Sequence, residues 1–298
     1  VIVKNNELIS LAHTNFNGRP HAERIALSNK KINFKGSLLY STLEPCSHYG
    51  KTSPCTDIIK KQNIKFILQG GEKHETTGHS FSAENNYKSA LNKDATRVVS
   101  CNTTSILRTL TALKRADLLD YARGTLLRRA TDPWESHLGG IMNTLVPEKE
   151  IPSHQGPDAQ TVDPDLDVVT AAVKVPQTLS HMHYWNVQLT RSASKEEILT
   201  AFKASPRTIL INYEDGHSAN NTIKEWMLAK GRPYGDMYEV ALWQDMLKVV
   251  NDELFYAYVV DNQAIVIPET IDAIRALTGI EMDAQKSILK TNQSLGIG

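Results

Sequence analysis

The sequence predicts an α/β layer joined to a larger α+β domain, which has a mixed sheet and helices on one face. In the first 66 residues, apolar runs and amphipathic stretches follow one another in the order β-β-α-β-α-β. This order is typical of parallel strands connected by helices. From residue 168 onward, long β-branched stretches alternate with helical ones, which indicates a sizeable mixed sheet. A chain of 298 residues is long enough for two modest domains.

The N-terminal elements follow from local periodicity. Asn5-Asn6 separates two apolar runs and predicts a hairpin. Ala22, Ile25 and Ala26 share one face and predict a helix. The predicted elements are the strands Val1–Lys4 and Glu7–His13, the helix His21–Ser28, the strand Ser37–Thr42, the helix Cys55–Gln62 and the strand Ile64–Leu68.

The pattern changes after Gly70-Gly71. We expect a long helix that Asn102-Thr103-Thr104 cap and that runs to about Leu119. Pro133–Asp167 is rich in Gly, Pro, His and Asp and predicts an ordered loop. The other expected helices are Ser82–Leu91, Lys195–Lys203, Ile223–Lys230 and Glu269–Leu277, and the expected strands are Arg97–Ser100, Gly124–Arg129, Arg207–Ile211 and those within Val168–Leu189 and Leu254–Ile267.

Charge and cysteine content exclude several classes of protein. Lys plus Arg and Asp plus Glu number 33 each, so the net charge is zero. Because no run of like charges forms a basic face, we expect neither nucleic acid nor a membrane surface as a partner. The apolar stretches are far shorter than a membrane span. Three cysteines are too few for a disulfide-rich secreted scaffold and favour the cytoplasm.

The first domain contains three candidate zinc ligands, His21, Cys46 and Cys55. One imidazole and two thiolates leave the fourth position of a tetrahedral zinc ion open for water, whose pKa the metal lowers. Glu23, two residues from His21, is placed to carry a proton to a leaving amine. A zinc ribbon needs four ligands and no neighbouring acid, so the pattern favours a zinc deaminase.

The wide loop between the two cysteines departs from the general P-C-x-x-C form. Glu44-Pro45-Cys46-Ser47-His48 and Gly50-Lys51-Thr52-x-Pro54-Cys55, with Gly18-Arg19-Pro20-His21-Ala22-Glu23 before them, resemble the deaminase domain of the bifunctional riboflavin-biosynthesis deaminase/reductase. The resemblance covers about residues 1–66. It implies that His21, Cys46 and Cys55 bind zinc, that Glu23 carries protons, and that His48 contacts a diaminohydroxyphosphoribosylaminopyrimidine. The first helix and the reductase half of that family do not occur in this sequence, so we expect an incomplete pocket.

Cys101 is a candidate nucleophile between a predicted strand and a predicted helix. Thiolates are the reactive form of cysteine, and a helix N-terminus lowers the pKa of a thiol. A distant histidine is expected to complete the pair. His181 and His183 would point to the same side of a strand, so their spacing leaves both open. Candidate phosphate ligands are Arg128, Arg129, His154, Lys174 and the hydroxyls at the helix start. A buried structural cysteine is the alternative.

A second resemblance extends from about residue 64 to the end of the sequence. Its motifs are Val98-Val-Ser-Cys101-Asn-Thr-Thr104, Arg128-Arg129-x-x-Asp132-Pro133, Pro152-Ser-His154-x-Gly156-Pro-Asp158 and Val173-Lys-Val-Pro176-x-Thr-Leu-x-His181-x-His183. These motifs, in this order, resemble the archaeal-type (type II) glyceraldehyde-3-phosphate dehydrogenase. The resemblance implies that Cys101 attacks the aldehyde, that a histidine, with His181 favoured over His183, takes up the proton, and that NAD or NADP receives the hydride. Inorganic phosphate would then release 1,3-bisphosphoglycerate.

The same resemblance implies the remaining site residues. Substrate and phosphate would contact Ser100, Asn102, His154, Gln155 and Gly156, and the dinucleotide would contact Gly71, Arg129 and Asn262. This sequence departs from the family in three ways. Gln155 stands where a second histidine is usual, Asn262 stands near an expected glutamine, and no G-x-G-x-x-G turn occurs anywhere. Without that turn, we expect weak binding of NAD or NADP.

The junction between the two resemblances falls within the predicted strand at Ile64–Leu68 rather than in a linker. The expected segments are a partial zinc deaminase domain at 1–66, a remnant of a dinucleotide-binding domain at 67–100, and a dehydrogenase catalytic domain at 101–298. The principal hypothesis is a phosphorylating dehydrogenase fused to a truncated deaminase, with zinc and NAD or NADP as cofactors. The alternatives are a working pyrimidine deaminase or an inactive chimera. A cytoplasmic homo-oligomer acting on small molecules is expected in either active case.

Overall fold

The structure is a computed structural model that describes residues 1–5, 7–16, 18–42, 45–46, 53–69, 77–91, 93–129 and 144–298. These residues form two compact units. The first comprises Val1–Ser100 and Thr270–Ser287, and the second comprises Cys101–Glu269 and Ile288–Gly298. Within the described ranges, every helix is too short or too polar to cross a membrane.

The first unit is built on a six-stranded sheet of order β2-β1-β3-β4-β6-β5. Strands β3, β4, β6 and β5 are parallel, whereas β1 is antiparallel to β2 and β3. The predicted order β-β-α-β-α-β over the first part of the chain is therefore confirmed. The bounds are β1 Ile2–Lys4, β2 Glu7–Ser10, α1 Ala22–Ala26, β3 Leu38–Ser41, α2 Cys55–Lys61, β4 Lys65–Gln69, β5 Ser80–Phe81, α3 Ala83–Asn86, a 3-10 turn Tyr87–Ala90, and β6 Ala95–Val98.

Apolar side chains from both helices and the central strands form the core of this unit. Ile2, Leu39 and Phe66 come from β1, β3 and β4, and Ile59 comes from α2. Helix α1 packs against α2, and Glu23 in the first turn of α1 contacts Ser41 at the end of β3. His21 directly precedes α1, Cys46 follows β3, and Cys55 is the first residue of α2.

The second unit is built on an eight-stranded mixed sheet of order β11-β12-β14-β10-β7-β9-β8, with β13 paired to β14. The bounds are α4 Cys101–Arg115, β7 Leu119–Arg129, β8 Val146–Pro147, α5 Gln155–Gln160, β9 Val168–Val175, β10 Ser180–Leu189, α6 Lys195–Lys203, β11 Thr208–Ile211, α7 Asn220–Ala229, β12 Val240–Trp243, β13 Lys248–Val250, β14 Glu253–Asp261, α8 Val266–Thr278 and α9 Ala284–Leu295. Part of α8 and part of α9 belong to the first unit.

Helices α4 and α5 cover one face of this sheet, on the side to which alternate residues of β10 point. His181, His183 and Trp185 are buried on that side, whereas Tyr184 is partly exposed on the other. In addition, α7 packs on the opposite face at the β11–β12 end, where Met227 meets Val259. The mixed sheet predicted from the β-branched stretches is confirmed.

Three local predictions were wrong. The helix at Cys101 begins at the cysteine itself, so Asn102, Thr103 and Thr104 lie in its first turn rather than before it. The predicted loop 133–167 contains β8 and α5 in its described part, since Pro157 is tolerated in the first turn of a helix. The predicted strand Leu254–Ile267 ends at Asp261, because the carboxylate of Asp261 accepts the N–H groups of Gln263 and Ala264 and closes a turn.

Candidate active sites

Three candidate zinc ligands and the carboxylate of Glu23 meet at the carboxyl end of β3. The ligand atoms of His21, Cys46 and Cys55 all lie within 4.8 Å of one another. Nδ1 of His21 is 3.5 Å from Sγ of Cys55, and the backbone N–H of Cys55 donates to Sγ of Cys46 at 3.3 Å. The structure thus brings together the three residues that the sequence proposed as a metal-binding set.

The chemistry of this donor set fits a zinc ion. One imidazole and two sulfur atoms converge within 4.8 Å of one another, and a catalytic zinc ion takes three such protein ligands with water as the fourth. The pKa of Cys55 is raised to about 12, mainly by burial and also by the neighbouring Cys46 and Glu23. A divalent cation bound between these ligands would favour the negatively charged form of Cys55 over the neutral thiol.

Glu23 lies on the first turn of α1 and is buried. Its Oε1 accepts a hydrogen bond from Oγ of Ser41 at 2.6 Å. Ser41 is the last residue of β3, so the strand fixes the carboxylate beside the donor set. The sequence did not single out Ser41. The only signal in the sequence was that Ser41 lies near the end of a predicted strand, just before the segment that carries Cys46. His48, expected to contact substrate, lies outside the described residues.

In the second unit, Cys101 and His181 converge on the side chain of Asn262. Sγ of Cys101 is 3.2 Å from Oδ1 of Asn262, and Nε2 of His181 is 2.5 Å from the same oxygen. Cys101 opens α4, His181 lies on β10, and Asn262 lies in the turn after β14. A thiol, an imidazole and an amide from three distant segments are therefore assembled at one point.

His183 is held in a different environment from His181. Its Nε2 is 2.8 Å from Oδ1 of Asn102, and its Nδ1 is 2.8 Å from the hydroxyl of Tyr258. Both ring nitrogens are thus engaged in a fully buried network, and Tyr258 also lies 3.2 Å from Oγ of Ser105. This arrangement favours His181 as the partner of Cys101 and a structural role for His183. Tyr258 carries no signal in the sequence, since only the register of β10 and β14 brings it there.

Burial dominates the electrostatics of the pair. It raises the pKa of Cys101 to about 11, although the backbone N–H of Asn102 and the charges of Arg128 and Arg129 lower it. Burial also lowers the pKa of His181 to about 3, with the two arginines adding to the effect. The expectation that the helix N-terminus would give a low thiol pKa was wrong, because desolvation outweighs it. The resting pair is a neutral thiol and a neutral imidazole.

Cationic groups surround the pair. The backbone N–H of Arg129 donates to Nδ1 of His181 at 2.9 Å. The guanidinium of Arg129 donates to the carbonyl of Thr178. Arg128 forms an ion pair with Glu148, whose other oxygen lies 3.7 Å from Nδ1 of His154. Positive charge beside the thiol suits a phosphorylated substrate. The structure places Lys174 opposite Arg128 in the β7–β9 pairing.

The remaining predicted substrate residues lie on or beside α5. The side chain of His154 is half exposed. Gln155 is fully buried, and neither its amide oxygen nor its amide nitrogen has a hydrogen-bond partner in the part of the chain that the structure describes. Gly156 donates its N–H to Oγ1 of Thr170. Ser100 directly precedes α4, and Gly71 lies outside the described residues.

Two family models match the chain. Residues 100–245 match the model of the glyceraldehyde 3-phosphate dehydrogenase C-terminal domain. Residues 1–70 match the model of the cytidine and deoxycytidylate deaminase zinc-binding region. The two matches lie side by side and agree with the fusion inferred from the motifs.

Curated relatives resemble the chain over most of its length. The glyceraldehyde-3-phosphate dehydrogenase of Methanobrevibacter smithii is 41% identical over 242 residues, which is 81% of this chain and 71% of the relative. That of Metallosphaera sedula is 44% identical, with the same coverage of both chains. That of Pyrococcus furiosus is 42% identical over 240 residues, 80% of this chain and 70% of its own. The chain belongs to the glyceraldehyde-3-phosphate dehydrogenase family and carries a deaminase zinc-binding region at its N-terminal end.

Proposed function

We propose that the second unit oxidises and phosphorylates glyceraldehyde 3-phosphate, with Cys101 as the nucleophile and His181 as the proton acceptor. The observation that carries this proposal is the convergence of both side chains on Asn262, beside Arg129. Cys101 as a whole residue is only partly buried, at the start of α4. The proposed segments remain 1–66, 67–100 and 101–298.

In the first step, the sulfur of Cys101 adds to the aldehyde carbon and the thiol proton passes to His181. His181 passes that proton on to the carbonyl oxygen, which becomes the hydroxyl of a thiohemiacetal, and the imidazole is neutral again. His181 then holds the proton that this hydroxyl loses as the carbon is oxidised to a thioester. When bound, NAD or NADP, the cofactor of this family, accepts the hydride. An oxygen of inorganic phosphate attacks the thioester, the carbon–sulfur bond breaks, and Cys101 recovers its proton.

The cationic groups around the pair support a phosphorylated substrate. Arg128 and His154, with Asn102 and Gly156, are the proposed contacts to the substrate and to inorganic phosphate. Gln155 is included because its buried amide has both hydrogen-bonding atoms free for a ligand within the described structure. Ser100, which precedes the nucleophile, completes the proposed set.

Arg129 and Asn262 are the proposed contacts to the dinucleotide. A guanidinium and an amide beside the reactive thiol suit the phosphates and the carboxamide of a pyridine nucleotide. Gly71 is the third proposed contact. Because the sequence has no G-x-G-x-x-G turn, we expect a high dissociation constant for NAD and NADP.

For the first unit, we propose a pyrimidine deaminase of the riboflavin-biosynthesis type, with His21, Cys46 and Cys55 as zinc ligands. When bound, zinc supplies the acidity that makes water a nucleophile at neutral pH. Glu23, held by Ser41, is the proposed proton carrier to the leaving amine, and His48 is the proposed substrate contact. The three converging ligand atoms support this second activity.

Steady-state kinetics test the dehydrogenase proposal. The purified protein should reduce NAD or NADP when given glyceraldehyde 3-phosphate and inorganic phosphate, and the Cys101→Ser variant should show no reduction. Equal rates for the two proteins would reject the proposal. A parallel assay of ammonia release from the aminopyrimidine, with Glu23→Gln as the inactive reference, tests the deaminase. We further propose a cytoplasmic homo-oligomer, which the free thiols and the partly exposed Tyr184 and Phe255 support.

A further inference from the structure

A carboxylate lies among the groups that are proposed to bind phosphate beside Cys101. Oε1 of Glu148 forms an ion pair with Nη1 of Arg128, and Oε2 of the same carboxylate lies 3.7 Å from Nδ1 of His154. Arg128 and His154 are both proposed contacts to the substrate and to inorganic phosphate. A negative charge at this place repels an anionic ligand, so Glu148 opposes the binding that Arg128 favours.

The strand pairing places Arg128 on the active-site face of the mixed sheet. Leu126 of β7 lies opposite His183 of β10, whose side chain is buried on the face that α4 covers. Side chains alternate along a strand, so Arg128, two residues after Leu126, points to that same face. Burial raises the pKa of Cys101 and lowers the pKa of His181, and the charge of Arg128 lowers both. Arg128 therefore acts electrostatically on the reacting groups.

Glu148 reaches Arg128 from the edge of the sheet. Strand β8 is antiparallel to β9, and the backbone N–H of Glu148, which follows β8, donates to the carbonyl of Ala172 at 2.9 Å. This backbone hydrogen bond fixes the point from which the carboxylate extends. The side chains of Arg128 and Glu148 are 24% and 23% exposed, so the ion pair is accessible to an anion from solvent.

The ion pair occupies only part of the guanidinium of Arg128. Glu148 accepts from Nη1, whereas Nε is buried and has no hydrogen-bond partner among the residues that the structure describes. An arginine presents five N–H donors in a planar fork, and a phosphate accepts two of them side by side. Because a buried donor without an acceptor is unfavourable, Arg128 can gain a hydrogen bond from an oxyanion while it remains close to Glu148.

We propose that Glu148 is a positioning residue that competes with phosphate for Arg128, and that it thereby weakens the binding of inorganic phosphate and of the phosphorylated product. The carboxylate holds the guanidinium in the empty site and loses part of that contact when an oxyanion binds. The proposal rests on the proposed function, in which Arg128 contacts phosphate. The product carries one phosphate group more than the aldehyde, so the repulsion from Glu148 acts more strongly on the product and favours its dissociation.

Binding of inorganic phosphate to the purified full chain tests this proposal without turnover. Glu148→Gln keeps the shape of the side chain and one acceptor oxygen but removes the charge. The dissociation constant of phosphate, measured by isothermal titration calorimetry, should fall about three- to tenfold, a range that allows for screening of the partly exposed pair by solvent. Glu150→Gln removes an exposed carboxylate from the same segment, so this matched control should bind phosphate as the wild type does.

The sign of the change separates competition from a purely structural role. A carboxylate that only braced Arg128 would give weaker or unchanged phosphate binding in Glu148→Gln, and either result would overturn the proposal. Equal gains in Glu148→Gln and Glu150→Gln would show an effect of net charge alone and would overturn it too. Urea midpoints of the variants, compared with that of the wild type, show whether each protein is folded.

A double-mutant cycle tests whether the effect passes through Arg128. In the Arg128→Gln background, phosphate binding should be weak or undetectable, and adding Glu148→Gln should not strengthen it. The same gain with and without Arg128 would indicate direct repulsion and would contradict competition for the guanidinium. Tighter phosphate binding in a Glu148→Gln protein that oxidises no aldehyde would reject the proposed function and retain this inference.

Discussion

Nε2 of His183 and Oδ1 of Asn102 are joined by a 2.8 Å hydrogen bond that is completely removed from solvent. This bond connects the central strand β10 to the first turn of α4, directly behind Cys101. The hydroxyl of Tyr258 occupies the other nitrogen of His183. One of the two histidines in the His181-x-His183 motif is therefore committed to the protein interior, and the other faces the thiol.

We predict opposite consequences for the two histidines. His183→Ala should lower the free energy of unfolding by about 2–4 kcal/mol, because it leaves a cavity and removes a partner from both Tyr258 and Asn102. His181→Ala should instead lower kcat/KM by about 10²- to 10⁴-fold with a smaller loss of stability, because it removes the proton acceptor. Urea unfolding and steady-state kinetics on both variants check this. The reverse pattern would assign the proton acceptor to His183.

The reactivity of Cys101 should increase with pH without an early plateau. Its pKa is raised to about 11 by burial, so the thiolate fraction grows about tenfold per pH unit through the neutral range. The pKa of His181, lowered to about 3 by burial, leaves the imidazole neutral throughout. Iodoacetamide labelling of the Cys101 peptide between pH 6 and about 10 measures this. A plateau near neutral pH would reveal a preformed thiolate–imidazolium pair, contrary to the expectation.

The raised pKa of Cys101 also makes the free energy of unfolding depend on pH. The folded thiol holds its proton up to about pH 11, whereas an unfolded cysteine loses it near its ordinary pKa of about 8.5. In that interval the folded state binds more protons than the unfolded state, so the stability contributed by the neutral thiol is lost as the pH rises. Comparison of the Cys101→Ser variant with wild type between these two pH values should show a steeper decline for wild type.

Zinc content should depend on the donor set of the first unit. We expect about one zinc per chain in the purified protein and a stoichiometry far below one in Cys55→Ser, because two ligands do not hold the metal. The wild-type melting temperature should rise with added zinc, and that of Cys55→Ser should not. Cys101→Ser is the matched control, since it removes a thiol from the other unit. Equal zinc in Cys55→Ser and in the control would argue against the site.

A buried carboxylate in the second unit provides a test of stability independent of either site. Oε1 of Glu269 accepts from Arg108 at 2.8 Å and from Arg207 at 3.0 Å, and all three side chains are fully buried. Glu269→Gln leaves two buried guanidinium groups without that negative charge and should cost about 3–5 kcal/mol. Glu197→Gln removes the carboxylate of the exposed Arg191 pair and should leave the urea midpoint unchanged. Similar midpoints for both variants would contradict this.

Periodicity was sufficient for most elements but not for their ends. Lys195–Lys203 was predicted at its observed bounds, because its apolar positions and its Ser194 cap both mark it. The helix at Gln155–Gln160 was missed, since Gly156 and Pro157 resemble a loop until the packing of α5 against α4 and β9 is known. Helix α9 was also not predicted, because its polar residues hide its few buried positions.

The candidate sites were predicted better in composition than in electrostatics. Spacing and motif identified His21, Cys46, Cys55, Cys101 and His181, all of which lie where a ligand or a partner side chain converges on them. The sequence left His181 and His183 equivalent, because alternation along a strand places both on one face. Only the pairing of β10 with β14, and the contact with α4, separates them. The burial that raises the thiol pKa is a property of the packed structure and has no local sequence signal.

The covalent intermediate itself provides the most direct test of Cys101 as the nucleophile. The purified protein, incubated with glyceraldehyde 3-phosphate and NAD or NADP in the absence of inorganic phosphate, should accumulate one phosphoglyceroyl group on the Cys101 peptide by mass spectrometry. Added phosphate should remove that group and release 1,3-bisphosphoglycerate. An unmodified Cys101, or an adduct found on Cys46 or Cys55 instead, would contradict the assignment of Cys101 as the nucleophile.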